Sequence, residues 1–568
     1  MQLTCGSLSN GADSSGQVHS LLCCVLHARR PQKRRHSRLA LRAPLQVGAV
    51  TRRELLEGMT MHLHQARKNI AAELLQKGLL INEGLVGGRW ICAASNKQFS
   101  VLDPAVAGEA ASQAGVLEVH RVSDMGAEEA EMAVEAAALS FASWKGKHMQ
   151  ERAKILANWS LQIGQNSPDI ANLMCLESGK PRSEAKGELN YARSFIDMYA
   201  GMGSNGLVLP AQNDKHMLLA TKEPVGVCSL LTPWNFPAAM FTRKATPALM
   251  AGCTVVMKPA EDTPLTTLAL AKLWEKAGGP PGVLNVVPTS RNLVQDVGSV
   301  LTTHEAVKKI SFTGSTATGK LLLKQAAGTV KRTSMELGGN APFVVCNDAN
   351  LNSAVDGAMA AKFRFGGQVC IAPNRFLVHE QIHDEFVEKM AVRIRALRVG
   401  DGLDTRTDLG PLINLRAKEK VAAMVCDALD KGAEGIVGGG LEHDMGPNFF
   451  SPTLLTRCTL DMRVSAEEIF GPVVGVMKFS DDEEALSISN RRVCKSGLAG
   501  YVYTQDYSRA LKLANGLEVG MVGVNDSYIS MAVVPFGGVK ESGMGREGSI
   551  LGLEEYLQVK HICLGGIV

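Results

Sequence analysis

The chain has 568 residues, 45% of them apolar and 20% charged, with a formal net charge of +4. At roughly 150 residues per domain this allows about three or four domains with buried cores, which excludes a chain disordered throughout. The charge is uneven: residues 1–50 hold seven Lys or Arg and one acid, so the remainder has a balance near −2 and lacks the basic surface of a nucleic-acid-binding protein.

The first segment is rich in Arg and Ser, with Arg29, Arg30, Lys33, Arg34, Arg35, Arg38 and Arg42 clustered. Its composition suits an organellar transit segment, and residues 1–68 are expected to be disordered. The address reads as mitochondrial, with plastid or cytoplasm as alternatives; the plain reading is a basic tail without an address. No run reaches the ~18 apolar residues that a membrane span needs, and Leu21–Leu26 is too short for the apolar core of a secretory signal and has no basic segment before it. The thirteen cysteines are scattered, without metal-ligand spacing or a disulfide framework. They imply a reducing compartment, one or two reactive thiols and no bound metal.

Farther along, Ala127–Trp144 and Glu151–Gly164 have helical periodicity. From Val225 the pattern changes to short apolar runs alternating with helices: Val225–Leu231, Thr254–Met257, Val283–Val287, Lys309–Phe312 and Ala341–Cys346. Pro264–Gly278 reads as a helix, with Thr263 as its N-cap, Pro264 in its first turn and Gly278 as its stop. Strand–helix alternation of this kind predicts an α/β fold with largely parallel sheets covered by helices.

Two stretches match GxGxxG, at Gly201–Gly206 and Gly543–Gly548. Neither lies between a strand and a helix, so both read as turns. Thr313–Lys320 does follow a strand and open a helix, but Leu321 stands where a P-loop needs a hydroxyl. ATP chemistry is therefore disfavoured, while the loop retains backbone N–H groups that suit a phosphate.

Four segments carry the chemistry. Thr232–Pro237 holds Asn235 in a stiff loop at a strand end. Met335–Asn340 sets the carboxylate of Glu336 before two glycines, which suits a general base. Phe365–Cys370 places a cysteine after a glycine-rich bend, where partial exposure and nearby N–H groups would lower its pKa from about 8.5. Glu467–Pro472 offers a carboxylate to sugar hydroxyls. Each segment has an ordinary structural reading when taken alone.

Together, in this order, they resemble the aldehyde dehydrogenase superfamily from about Val86–Trp90 to the C-terminus, and most nearly its succinate-semialdehyde dehydrogenase branch. That resemblance implies an aldehyde dehydrogenase-like fold: a Rossmann-type NAD-binding domain (69–204 and 225–335), an α/β catalytic domain (336–538) and a small β bridging and oligomerisation region (205–224 and 539–568). It implies NAD-dependent oxidation of succinate semialdehyde to succinate by a homodimer or homotetramer. The partner is a small aldehyde, with no nucleic acid or membrane. Cys370 is the implied nucleophile, Asn235 and the Cys370 N–H the oxyanion donors, and Glu336 the base that hydrolyses the thioester. Relatives that transfer the acyl group to coenzyme A generally lack this Glu.

For the cofactor, the resemblance implies Lys258 and Glu261 at the adenosine ribose and Gly314 and Ser315 at the pyrophosphate. Trp234 would border the dinucleotide, and Glu468 would hold the nicotinamide ribose with Phe470 beside it. A carboxylate at Glu261 would repel a 2′-phosphate, which favours NAD over NADP. Arg364 and Ser530 match residues that bind the distal carboxylate. A further Arg that the branch usually carries is missing after Phe195-Ile196-Asp197, in a shortened segment. Ala372 replaces a second cysteine common in relatives. The alternatives are a broader aliphatic or other semialdehyde dehydrogenase and, in another class, a catalytically idle structural member.

Overall fold

The computed structural model describes residues 65–106, 118–202, 207–209, 216–439, 445–491 and 495–565. Most of the expected transit segment and the Gly203–Gly206 part of the first glycine motif lie outside them. Residues 65–76 are helical, so the disorder expected up to 68 does not extend that far. Arg67 is buried there, 2.7 Å from Asp103 and ion-paired with Asp401.

An eight-stranded sheet runs in the order Arg89–Ile91, Gly84–Val86, Leu284–Val286, Thr254–Lys258, Val227–Leu231, Val307–Thr313, Arg332–Glu336, Gly543–Met544. Its five central strands are parallel. In chain order they lie 3-2-1-4-5, the doubly wound arrangement whose order reverses between Val227–Leu231 and Val307–Thr313. Val227–Leu231 and Thr254–Lys258 are buried at every residue, because helices cover both faces. Ala130, Ala133, Val134 and Ala137 pack with Val227, Val256 and Ile310 on one face. Helices Pro237–Ala251 and Pro264–Lys276 pack with Cys228, Leu230 and Val255 on the other. The first two strands form a tight hairpin, in which Gly87 and Gly88 supply φ of 62° and 80° that other residues rarely adopt.

A second sheet has seven strands: Glu434–Val437, Thr453–Thr456, Val473–Phe479, Pro373–His379, Ala341–Val345, Ala499–Tyr503, Met521–Val524. All but the first pair are parallel. A third, antiparallel sheet joins Leu207–Leu209, His216–Pro224 and Leu557–Gly565. The segment from 539 onward therefore divides. Val539–Lys540 pairs with Ser496–Gly497, Gly543–Met544 edges the first sheet, and only the last strand joins the antiparallel one.

The helix after Thr263 begins at Pro264 as read, but Thr263 does not cap it. The Thr263 hydroxyl donates to the Trp234 carbonyl at 3.3 Å. The buried carboxylate of Glu177 takes the helix N–H groups instead, from Leu265 at 2.8 Å and Thr266 at 3.0 Å. A cap supplied from 86 residues upstream leaves no local sequence signal.

Candidate active site

Ligands in doubly wound sheets bind beyond the carboxyl ends of the strands, at the point where the order reverses. Here those ends carry two of the segments read from the sequence. Val227–Leu231 leads into Thr232–Phe236, and Val307–Thr313 leads into Gly314 and Ser315. Thr232 N–H donates to the Lys258 carbonyl at 3.3 Å, which ties the first loop to the end of the neighbouring strand. Ser315 caps the helix Thr316–Ala326, accepting from Thr318 N–H at 3.3 Å. Gly314 N–H donates to the Glu336 carbonyl at 3.0 Å, which fixes the glycine turn beside the last parallel strand. Lys258 is buried and Glu261 half-buried. Burial lowers the Lys258 pKa, against the opposing pull of Glu261 and Asp262.

The catalytic segments meet where the two large sheets approach each other. Asn235 is buried, and its Nδ2 donates to the Gln368 carbonyl at 2.9 Å. That bond uses one amide hydrogen and leaves the second for a ligand. Gln368 is itself held, with its side chain donating to Phe365 O at 3.2 Å and accepting from Ile413 N–H at 2.9 Å. Before it, Phe365, Gly366 and Gly367 adopt φ of 45°, 62° and 74°, three left-handed residues in a row. Both carboxylate oxygens of Glu184 take Phe365 N–H, at 2.8 and 2.9 Å. A Cβ on Gly339 would lie 2.3 Å from the Cys370 carbonyl oxygen, so only glycine lets this strand-end loop reach the cysteine.

Cys370 is partly exposed. Its expected low pKa is not met: burial pushes the thiol up to about 12, Arg243 pulls it down, and Glu468 and Glu336 push it further up. Charged neighbours of both signs thus face the sulfur, and burial decides the balance. Glu336 is buried, and neither carboxylate oxygen has a hydrogen-bond partner among the described residues. Burial and then the Glu547 carboxylate hold its pKa well above the ordinary range. Glu547 has the opposite fate, held low by an ion pair with Lys244 and by Arg243 at 2.6 Å. Two neighbouring carboxylates with pKa values driven apart suit acid–base work. Arg243, Lys244 and Glu547 escaped the sequence reading. Arg243 and Lys244 lie within a helix buried at every position, where nothing in the spacing marks a charge as functional.

The Glu467–Glu468 pair splits. Glu467 ion-pairs with Arg463 at 2.8 Å, while the Glu468 side chain accepts from Gly339 N–H at 3.0 Å. Phe470 has φ 58° and sets its ring edge-on to Trp234, with centroids 5.5 Å apart. A cavity of about 560 Å³ is lined by Val369 and Ile371, the two neighbours of Cys370, and by Phe236, Tyr191, Arg364 and Ser530. The Arg364 guanidinium lies 4.8 Å from the Phe236 ring centroid and makes no hydrogen bond or ion pair among the described residues. Glu184, which feels the Arg364 charge, is committed to Phe365 N–H. Among the described residues no group of His, Cys, Asp and Glu could hold a metal, and no helix is long and apolar enough to cross a membrane.

Among the described residues, a thiol, an amide donor and a carboxylate without a hydrogen-bond partner thus lie together beyond the strand ends. The model of the aldehyde dehydrogenase family matches residues 90–562. The mitochondrial succinate-semialdehyde dehydrogenase of Mus musculus is 50% identical over 497 residues, covering 87% of this chain and 92% of the relative. The 3-sulfolactaldehyde dehydrogenase of Pseudomonas putida is 46% identical over 497 residues, covering 87% and 99%. The crystal structure of an E. coli NADP-dependent enzyme superposes with TM-score 0.82 at 44% identity, covering 86% of this chain and 99% of that one. With the doubly wound sheet and the Asn235–Glu336–Cys370 cluster in one molecule, the chain belongs to the aldehyde dehydrogenase family.

Proposed function

We propose that this protein oxidises succinate semialdehyde to succinate with NAD, as a mitochondrial homodimer or homotetramer. The observation that carries the substrate is Arg364, a cation in the cavity beside Cys370 without a hydrogen-bonded partner among the described residues. A half-buried guanidinium of this kind is best satisfied by an anionic group on the ligand, and a carboxylate accepts its forked donors two at a time. Succinate semialdehyde places a carboxylate at the end opposite the aldehyde. The relatives named for this activity support the same reading. The P. putida relative is named for an aldehyde whose far end is also anionic, a sulfonate, so the charge of the tail is the better supported part of the assignment.

In this reading the Cys370 sulfur attacks the aldehyde carbon, and the free Asn235 N–H and the Cys370 N–H hold the oxygen that becomes negative. One such donor is typically worth ~10²–10³ in rate. A nicotinamide dinucleotide, when bound, would supply the hydride acceptor, while Cys370 and the two N–H donors hold the adduct that gives up the hydride and becomes the thioester. Glu336, whose two oxygens await donors, takes a proton from the water that releases the acid and the thiol. Gly314, Ser315, Lys258, Trp234, Phe470 and Glu468 would hold the dinucleotide, with Glu261 on its ribose. Glu261 and Asp262 stand together at that end. A 2′-phosphate of charge about −1.5 to −2 beside them costs on the order of several kcal/mol at an effective ε of 20, which is the case for NAD. The first sheet serves the dinucleotide, the second the catalytic cysteine, and the antiparallel sheet assembly.

The test is kcat/KM for succinate semialdehyde against butanal, with NAD and with NADP. The carboxylated substrate with NAD should win by at least about tenfold in each comparison, the worth of one charge-assisted contact. Equal values for the two aldehydes would replace this reading with a broad aliphatic aldehyde dehydrogenase.

A further inference from the structure

With the branch's further Arg missing after Asp197, Arg364 is left to meet an anionic tail, and other polar groups line the same cavity. The Tyr191 hydroxyl oxygen lies 2.6 Å from Ser530 Oγ and 3.3 Å from an Nη of Arg243. Tyr191, Ser530 and Arg364 all line the cavity beside Cys370. Arg243 is 99% buried, paired with Glu547, with its guanidinium 4.1 Å from the Phe536 ring centroid.

Arginine donates and never accepts, so the Tyr191 oxygen accepts from Arg243. The phenolic hydrogen then needs an acceptor. Among the described residues Ser530 Oγ is the only acceptor within hydrogen-bonding distance of it, so Tyr191 donates to Ser530. The Ser530 hydrogen has no acceptor of its own among the described residues and is left for the cavity. Direction is thereby transmitted over three groups, from a residue that cannot reverse it. A serine hydroxyl hydrogen normally turns to suit its neighbours; here Tyr191 occupies one lone pair of the oxygen, so the hydrogen is turned away from Tyr191 and toward the cavity.

We infer that Tyr191 is a positioning residue for substrate choice: with Arg243 behind it, it locks Ser530 as a donor that joins Arg364 in reading an acceptor-only, anionic tail. An anionic tail meets a hydroxyl hydrogen already turned toward it, beside the Arg364 guanidinium. The inference rests on the proposed anionic substrate and adds the device that selects it.

The test uses Tyr191→Phe, which keeps the ring packed on Phe195 at 4.7 Å between centroids and removes only the hydroxyl. The readout is the ratio of kcat/KM for succinate semialdehyde to that for butanal. It should fall about tenfold, through a raised KM for the carboxylated substrate, because the contact is the same before and during reaction. Ser530→Ala should lower the ratio at least as far. The double variant should fall no further than Ser530→Ala, since Tyr191 acts through Ser530. Ser530→Thr, which keeps the hydroxyl, should retain the ratio, and this comparison stands even if Tyr191→Phe does not accumulate as folded protein. An unchanged ratio in Tyr191→Phe, additive losses in the double variant, or equal ratios in the Ala and Thr variants would overturn the relay. A wild-type ratio near one would instead remove the anionic substrate, and the relay with it.

Discussion

A carboxylate buried without a hydrogen-bond donor is expensive, and among the described residues Glu336 finds none. Burial and the charge of Glu547 raise its pKa well above the ordinary carboxylate range. The base form must appear before water can be activated. Hydrolysis should therefore rise with pH along a limb that lies above the usual carboxylate range and fall as acid protonates Glu336. Glu336→Gln should leave a burst of about one NADH per Cys370 followed by slow turnover, and the limb should vanish. A full steady-state rate in that variant would mean that another group activates the water. The sulfur has the matching problem: burial holds its thiol near pKa 12, and among its neighbours Arg243 favours the thiolate. The sequence reading named Cys370, Glu336 and Asn235 because a thiol, a carboxylate and an amide beside glycine and proline leave a mark. It missed Arg243 and Glu547 because their role lies in what they face across the fold.

One short element, the bend at 364–370, decides whether these residues meet, and Phe365 is its costliest member. A bulky residue at φ 45° costs about 1–2 kcal/mol in backbone strain. Its ring gives more back. It is buried 6.1 Å from Trp234 and 6.3 Å from Phe236, centroid to centroid, with Lys180 Nζ 4.4 Å from its own centroid. Removing a buried Phe side chain costs about 3–5 kcal/mol, and the cation over the ring adds about 0.5–2. Asn tolerates left-handed backbone well, yet Phe365→Asn should lower stability by about 2 kcal/mol or more, because the lost packing exceeds the relieved strain. A thermal midpoint equal to or above that of the wild type would show the opposite order. The parallel strands and the main helices were legible at this scale, since buried apolar runs and helical periodicity are local signals. The left-handed run at 365–367 and the remote Glu177 cap were not, because each is imposed by contacts far away in sequence.

Across the whole molecule, the antiparallel sheet is the part that a single chain leaves unfinished. Leu557–Gly565 pairs with His216–Pro224 through nine consecutive residues, so its backbone is well satisfied. Its side chains are not: Met217 is 42% exposed, Leu564 41% and Val559 67%. Met217 lies opposite Leu564 and Leu219 opposite Ile562, and directly paired residues share a face, so these four form one apolar patch. Three strands gain stability by burying a hydrophobic face, and among the described residues none covers this one fully. A second copy of the same sheet is the cover that the family resemblance implies. Sedimentation should give a particle of at least two chains, and Met217→Glu with Leu564→Glu should shift it toward a smaller one by placing like charges opposite each other on the patch. The two α/β sheets, with the strand-end loops and the cysteine bend, lie apart from these positions in sequence and should keep their fold. Wild-type sedimentation in the double variant would exclude this face as the contact and send the search to the exposed helices instead.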